Sequence, residues 1–451
     1  MYQSIIAFCT FCVTSALLVS CSTSPTSGSK GSHKAWRQVP AWASERMQQR
    51  WWTKYGDADL NRDVASAFTN NPDLAIIAAR LERSEAQVSK SRAASLPSLN
   101  LGIGHRDGRK QEVDFGPYNL APWEGGGQFS WEIDLSGRLR ATTRSAKNAR
   151  DAAFWDLHAA RLQLASRIAA TRFNLYRFNA EASLLQDSTR ASQETVNSLK
   201  ARADAGIIAS TAYHLQQAEH EKFKRQLVDV KRLCDITVVQ LRTLTGGTVV
   251  SGTSRSYLPT PKNPASLPLA QLLKANPTLL AAEARVRSAF QLEKSAKLDL
   301  LPSFRFNASA TGAGNSLTGR YKTWQHQFGP SLDIPIYDPV RLANIKVRRA
   351  EAKAAAAQYR SAVLVVLEEV DRSQINLRSR RQQLQIAQRE IASLGVTRRY
   401  AADQFKAGIT SQIEYLDTER RWIEAKRSEV AVKQLLINDH INLIKALGGG
   451  A

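Results

Sequence analysis

Leu96-Pro97-Ser98-Leu99-Asn100-Leu101-Gly102-Ile103-Gly104 decides the fold, because it recurs 205 residues later as Leu301-Pro302-Ser303-Phe304-Arg305-Phe306-Asn307-Ala308-Ser309. After the shared Leu-Pro-Ser entry, each stretch alternates apolar and small or polar side chains. That is the period of a strand with two unlike faces. The same offset joins Asn71-Pro72-x-Leu74 to Asn276-Pro277-x-Leu279, and Ala79-Arg80 to Ala284-Arg285. A second alternating run follows in each copy. Phe129, Trp131, Ile133 and Leu135 alternate with Gln128, Ser130, Glu132 and Asp134. Phe328, Leu332, Ile334 and Ile336 alternate with Gln327, Gly329, Ser331 and Asp333, interrupted by Pro330 and Pro335. Strands are expected near 97–105, 127–135, 302–311 and 325–336.

A long helical stretch follows each second strand. Residues 138–205 and 340–394 contain neither Gly nor Pro and are rich in Ala, Leu, Arg, Glu and Gln. Long helices are expected over 138–205 and 340–406, each roughly 100 Å at ~1.5 Å per residue. They end at matching turns, Ala205-Gly206-Ile207 and Ala407-Gly408-Ile409, where Gly suits a left-handed helix end. Returning helices are expected over 210–244 and 411–447. The unit therefore reads short helix, strand, loop, strand, long helix, turn, helix. It occurs at 71–245 and again at 276–447, and the Gly-, Ser-, Thr- and Pro-rich stretch 246–275 links the copies.

Four strands per chain cannot close a barrel, and an open sheet edge is not tolerated in lipid. Subunits must pool them. Two subunits would give eight strands and a filled interior; three would give twelve and room for a pore. The helices also exceed what one small core can cover. The expected fold is thus an α+β membrane protein: a trimeric twelve-stranded β-barrel continued by a long α-helical barrel.

The N-terminus fits export. The first 29 residues carry no charge, and Ile5 to Val19 has the length of a signal-peptide apolar segment, too short to span a bilayer comfortably. It ends in Leu18-Val19-Ser20-Cys21, the pattern of a bacterial lipoprotein cleavage site. Residues 1–20 read as a signal peptide, although its start lacks Lys and Arg. Residues 21–70 then form a lipidated N-terminal segment, with acyl chains on Cys21 as a membrane anchor. By analogy with sorted lipoproteins, Ser22 favours the outer membrane. Cys9 and Cys12 would be removed with the signal peptide, leaving Cys234 as the free thiol and no intrachain disulfide. Cys234 reads as a packed apolar residue among Leu233, Ile236 and Val239.

The formal net charge is +22. An exported lipoprotein meets no nucleic acid, and the basic residues are spread along helices without an aromatic platform. An anionic membrane surface, the cell wall or an anion-attracting interior accounts for the charge better.

These residues resemble the outer-membrane efflux protein (TolC-like) family in its lipoprotein branch. The resemblance is carried by Cys21 with its preceding triplet and by Trp51-Trp52-x-x-Tyr55-Gly56-Asp57-x-x-Leu60. Both Asn-Pro-x-Leu openings, both Leu-Pro-Ser entries, and Gly408-x-x-Ser411 with Leu416-Asp417 complete it. It implies a homotrimer in outer-membrane lipid, a long periplasmic helical barrel and a mixed equatorial domain. It further implies a periplasmic adaptor protein and an inner-membrane pump, of which the RND type is the expected one. The family's constriction lies five, six and nine residues after the turn glycine, which from Gly408 gives Ile413, Glu414 and Asp417. An apolar ring there would block water and a carboxylate ring would bind cations. The bland alternative is a solvated acidic first turn favoured by the helix dipole. Gly206, Ile207, Gly408 and Ile409 would form adaptor-facing tips. The first tip is expected to differ, because Gly206 to Glu219 is longer than Gly408 to Glu419.

The stretch His105 to Gly127 is expected to be an extracellular barrel loop; for Trp123 and Trp324 aromatic packing is the default reading and a membrane-interface position the alternative. No motif supports an enzyme, a metal site or a cofactor beyond the covalent lipid. The expected function is a passive outer-membrane conduit driven by an inner-membrane partner. A coiled-coil lipoprotein tethering envelope layers is the alternative, but it leaves the paired strands unexplained.

Overall fold

The computed structural model describes residues 50–105, 109–112, 116–119, 123–261, 275–314 and 323–449. The signal peptide, Cys21 and the rest of residues 1–49 lie outside the described residues, as does 262–274 of the expected linker. A short 3-10 turn, Trp51–Tyr55, precedes α1 (Ala58–Asn70) and α2 (Pro72–Ala93). Then come β1 (Ser98–His105), β2 (Arg109–Glu112), β3 (Gly116–Asn119), β4 (Trp123–Ile133), α3 (Arg138–Asp204) and α4 (Ser210–Leu244). The second copy supplies α5 (Pro277–Leu298), β5 (Ser303–Gly314), β6 (Thr323–Asp333), α6 (Pro339–Lys406) and α7 (Gln412–Ala446).

The duplication is visible as repeated local chemistry. Asn71 and Asn276 each cap a helix that has Pro in its first turn, Asn71 Oδ1 accepting from Leu74 N at 3.0 Å and Asn276 Oδ1 from Thr278 N at 2.9 Å. The same side chains also reach across the chain. Asn71 Nδ2 donates to Leu244 O and Asn276 Nδ2 to Ala446 O, each at 2.9 Å. One amide thus caps the start of a short helix and ties it to the end of the returning helix. Gly246 and Gly448 follow those ends with φ of +74° and +81°. A Cβ on Gly246 would lie 2.3 Å from Asn70 O, and one on Gly448 2.6 Å from Ala275 O.

The main sheet runs β1-β4-β5-β6, antiparallel throughout. Its register sorts most side chains by face, with His105 and His326 as the polar exceptions on the apolar side. Leu99 pairs with Phe129, Phe129 with Ala308 and Ala308 with Phe328; Trp131 pairs with Phe306 and Phe306 with Pro330. Directly opposed residues share a face, so this face is apolar from strand to strand. The other carries Asn100 opposite Gln128, Gln128 opposite Ser309 and Ser309 opposite Gln327. Ser130 Oγ donates to Asn307 Oδ1 at 3.0 Å, and Asn307 Nδ2 to Ser331 Oγ at 3.1 Å, so the polar face is also hydrogen-bonded across strands.

Three expectations need correction here. Gly125-Gly126-Gly127 lie inside β4 rather than in a loop. A side chain at Gly126 would bring its Cβ to 2.4 Å from Ala310 O, so this close strand approach needs glycine. The remaining loop residues contain an additional hairpin, β2 against β3, which lacks clear apolar alternation and so escaped the strand count. The strand expected to reach 336 stops at Asp333, before Pro335, whereas Pro330 is accommodated because β6 is an edge strand within the chain.

The helices continue the sheet in the same order: α2 packs on α3, α3 on α5, and α5 on α6. Paired hydroxyls let α3 approach α5, with Ser145 Oγ 2.8 Å from Ser288 Oγ and Thr142 Oγ1 2.9 Å from Ser295 Oγ. The returning helices α4 and α7 pack on α3 and α6, and α7 also touches α3. The core lies partway along α3, around Ile168, Phe173 and Tyr176, not at either end. Trp51, Leu60 and Val64 from the N-terminal segment join it, with Leu241 of α4 and Ile437 and Ile441 of α7. Tyr55 Oη lies 2.6 Å from His440 Nδ1, so the Trp-Trp-x-x-Tyr segment bonds directly to the second copy. Arg172 is fully buried, its Nε donating to Asp63 Oδ2 at 2.8 Å and its Nη1 to Ser251 O at 2.7 Å. Part of the expected linker is therefore packed structure: Val250 and Leu258 join the core and Ser251 bonds Arg172, while Val249 and Tyr257 are exposed. No described helix is long and apolar enough to cross a membrane.

Candidate functional site

The two tips are built alike. Gly206 and Gly408 have φ of +69° and +72°. Ile207 N donates to Arg202 O at 2.9 Å, and Ile409 N to Gln404 O at 2.8 Å, the six-to-one bond of a glycine-terminated helix. Each returning helix starts four residues after its glycine, and both are 35 residues long. The expected longer first tip is thus not found; the offset from glycine to a chosen Glu measured side-chain placement, not turn length. Ile207 and Ile409 are 72% and 75% exposed, and nothing lies within 4 Å of a Cβ built on either glycine.

The tips differ in how the next helix begins. Ser411 Oγ accepts from Glu414 N at 3.3 Å, and Thr410 Oγ1 donates to Glu414 Oε2 at 2.6 Å. Ala209 offers α4 no side-chain cap. Ile413, Glu414 and Asp417 therefore sit in the first two turns of a capped α7. Ile413 is 70% exposed. Asp417 is half-buried, with Oδ1 2.5 Å from Arg420 Nη2 and Oδ2 2.7 Å from Arg421 Nε. Asp417 is thus paired within its own helix by two arginines, while Glu414 in the first turn bonds the hydroxyl of Thr410.

Residues that sequence reasoning missed fasten this hairpin. Phe405 and Tyr415 stack with centroids 5.2 Å apart and planes 5° from parallel. Arg398 Nε donates to Glu419 Oε1 at 2.6 Å, and its guanidinium lies 4.3 Å from the Trp422 ring centroid. Burial, with the nearby Glu419 charge, pushes the Tyr415 hydroxyl pKa up. Higher along the helices, Arg427 Nε donates at 2.8 Å to Glu181 Oε1, joining α7 to α3. These partners are far apart in sequence and share no motif. The matching positions of the first hairpin carry no such cluster; there Gln216 Nε2 donates to Ser192 Oγ at 2.8 Å.

At the opposite end, His105 pairs with Trp123 and Gly312 with Trp324, so both tryptophans lie at the loop end of the apolar face. The polar face carries Glu124, Glu132 and Asp333 against Arg305 among the described residues. The strands therefore give no support to an anion-attracting interior. Cys234 is half-buried and its thiol donates to Asn179 Oδ1 at 3.3 Å, while Ile236 and Val239 are exposed rather than packed beside it.

The chain matches the family model described as outer membrane efflux protein over residues 64–247 and 269–449, one match per structural copy. It is 24% identical to the pyoverdine export outer membrane protein OpmQ of Pseudomonas putida, over 96% of this chain and 95% of the relative. It is 22% identical to the probable outer membrane lipoprotein SilC of Salmonella typhimurium, over 89% of this chain and 88% of the relative. Its fold is similar to that of the outer-membrane channel OprN, with a TM-score of 0.81 at 22% identity, covering 92% of this chain and 96% of that one. The Campylobacter jejuni CmeC outer membrane channel gives a TM-score of 0.79 at 22% identity, covering 89% and 88%.

Proposed function

Because the chain belongs to the outer membrane efflux protein family and is an outer-membrane efflux channel subunit, we propose that three copies pool their sheets into one twelve-stranded barrel. The observation that carries this reading is the sheet itself: one face apolar, one polar, and both edges open within the chain. An apolar outside and polar inside is the pattern of a membrane barrel. The open edges of β1 and β6 would pair with those of neighbouring copies, leaving no open sheet edge in lipid. α2, α3, α5 and α6 continue this wall as a helical barrel into the periplasm. Acyl chains on Cys21 add an anchor, and the conduit performs no catalysis.

A periplasmic adaptor would grip the exposed Ile207 and Ile409 at the tips, with an inner-membrane pump of the RND type supplying the energy. Ile413 and Asp417 would line the aperture, with Glu414 fixing the cap beside them. The purified full chain in a planar bilayer tests the conduit. Discrete single-channel steps are expected, and a sealed bilayer at saturating protein would overturn the reading. Replacing Gly206 or Gly408 with a bulky residue is expected to abolish crosslinking to the adaptor while the trimer persists. Retained crosslinking would move the adaptor contact elsewhere.

A further inference from the structure

Where α2 ends against the start of α3, an open cleft of about 190 Å³ is lined by Arg92, Arg140, Arg144 and Lys147 around Ser95 and Leu139. Thr143 completes the wall and pins it, its Oγ1 donating to Ser91 O at 3.1 Å. Arg140, Thr143, Arg144 and Lys147 are spaced to share one face of α3. Arg138, one of the residues facing the other way, meets Glu132 at 2.5 Å on the polar side of the sheet.

The four cations have little to balance them. Arg140 Nε meets Asp134 Oδ2 at 3.1 Å. Arg92, Arg144 and Lys147 make no ion pair among the described residues. The first turn of α3 contains no acidic residue, so Arg140 and Arg144 sit near the positive end of the helix dipole, where an anion is favoured. Leu139 N and Arg140 N are already satisfied by Asp134, at 3.1 and 2.9 Å. The uncompensated charge is therefore in the side chains.

The cleft adjoins the apolar face of the sheet. Trp131 belongs to that face, and its Nε1 donates to Ser95 O at 3.1 Å. Leu96 and Leu99, at the entry to β1, are exposed beside it. An apolar band ending in unpaired cations matches the boundary between acyl chains and headgroups.

We propose that this cleft binds the phosphate of an anionic phospholipid in the leaflet nearest the helices, with the acyl chains lying along Leu99 and Trp131. The proposal rests on the reading that the apolar face of the sheet meets lipid. Continuity with that face selects a lipid over free phosphate, because inorganic phosphate gains nothing from the apolar band. The test is native mass spectrometry of the full-length trimer titrated with dioleoyl phosphatidylglycerol or dioleoyl phosphatidylcholine. The wild type should retain phosphatidylglycerol in preference. The triple variant Arg92→Gln, Arg144→Gln, Lys147→Gln should lose about a hundredfold in apparent affinity, at about fivefold per removed charge. The charge-preserving pair Arg92→Lys, Arg144→Lys should keep most of it, which separates charge loss from misfolding. Equal retention by the wild type and the triple variant would overturn the proposal. So would complete displacement of the lipid by excess inorganic phosphate. Bilayer conductance of the triple variant should match the wild type; absence of conductance in both would count against the channel reading and leave the lipid measurement standing.

Discussion

Asp417 lies nine residues past Gly408 and is paired with two arginines, so at the proposed aperture removal of its charge would do more than widen a ring. Asp417→Asn would free Arg420 and Arg421 from their carboxylate partner. Conductance should rise and the reversal potential in a salt gradient should shift towards anions. Ile413→Ala should raise conductance without that shift. If neither variant changes conductance, Asp417 returns to being an acid on a solvated first turn. His158 is a second group whose surroundings decide its behaviour. Burial, aided by the Arg161 charge, lowers its pKa from 6.5 to about 3, and Phe154 packs against its ring at 4.7 Å. The folded chain thus holds it neutral, while the unfolded chain protonates it near 6.5. Its contribution to stability is present above pH 6.5 and is lost as pH falls towards 3. His158→Gln should flatten this part of the acid-side decline in denaturation midpoint, and parallel profiles for variant and wild type would refute the assignment. Neither Asp417's partners nor His158's burial follows from the apolar periodicity used to find the helices.

Glycines at the two ends of the repeated hairpins do different work. At Gly206 and Gly408 the constraint is only the positive φ, because no atom crowds a Cβ there. Substitution by Ala at either should cost about 1 kcal/mol, the usual penalty for a left-handed residue. At Gly246 and Gly448 backbone carbonyls stand 2.3 and 2.6 Å from a Cβ. Ala at these positions should cost about 3 kcal/mol, adding overpacking to the same backbone penalty. Denaturant unfolding of the four single variants measures the contrast, and four equal losses would contradict it. The Asn-Pro openings were legible from the repeat, but their bonds to Leu244 and Ala446 were not. A cap is a three-residue relation; a clamp needs the returning helix to arrive at the same place.

Among the described residues much apolar surface is left without cover. β1 is exposed along its length, and Leu364, Val365, Ile375 and Ile386 are exposed on α6. Lipid around the sheet and neighbouring copies beside the helices would cover these surfaces at once. Seminative electrophoresis should therefore show a trimer that dissociates on heating, and circular dichroism should show mixed helix and strand. A helix-only spectrum from a heat-insensitive species would favour the envelope tether.

The sequence by itself determined the duplication, the long helices, the two-faced strands and the positions of the tips. Those features follow from local periodicity, glycine conformation and the spacing of repeated residues, all of which are written along the chain. Only the tertiary structure decided that Gly125-Gly126-Gly127 is strand, that both tips share one geometry, and that Asp417 is paired. It also decided that Arg172 reaches Asp63 and that Arg427 reaches Glu181. These outcomes depend on which backbones and charges come within a few ångströms after folding. The repeat that marks out the scaffold carries no record of that proximity, because its copies share local bonds such as the Asn71 and Asn276 clamps but differ in contacts such as that of α7 with α3.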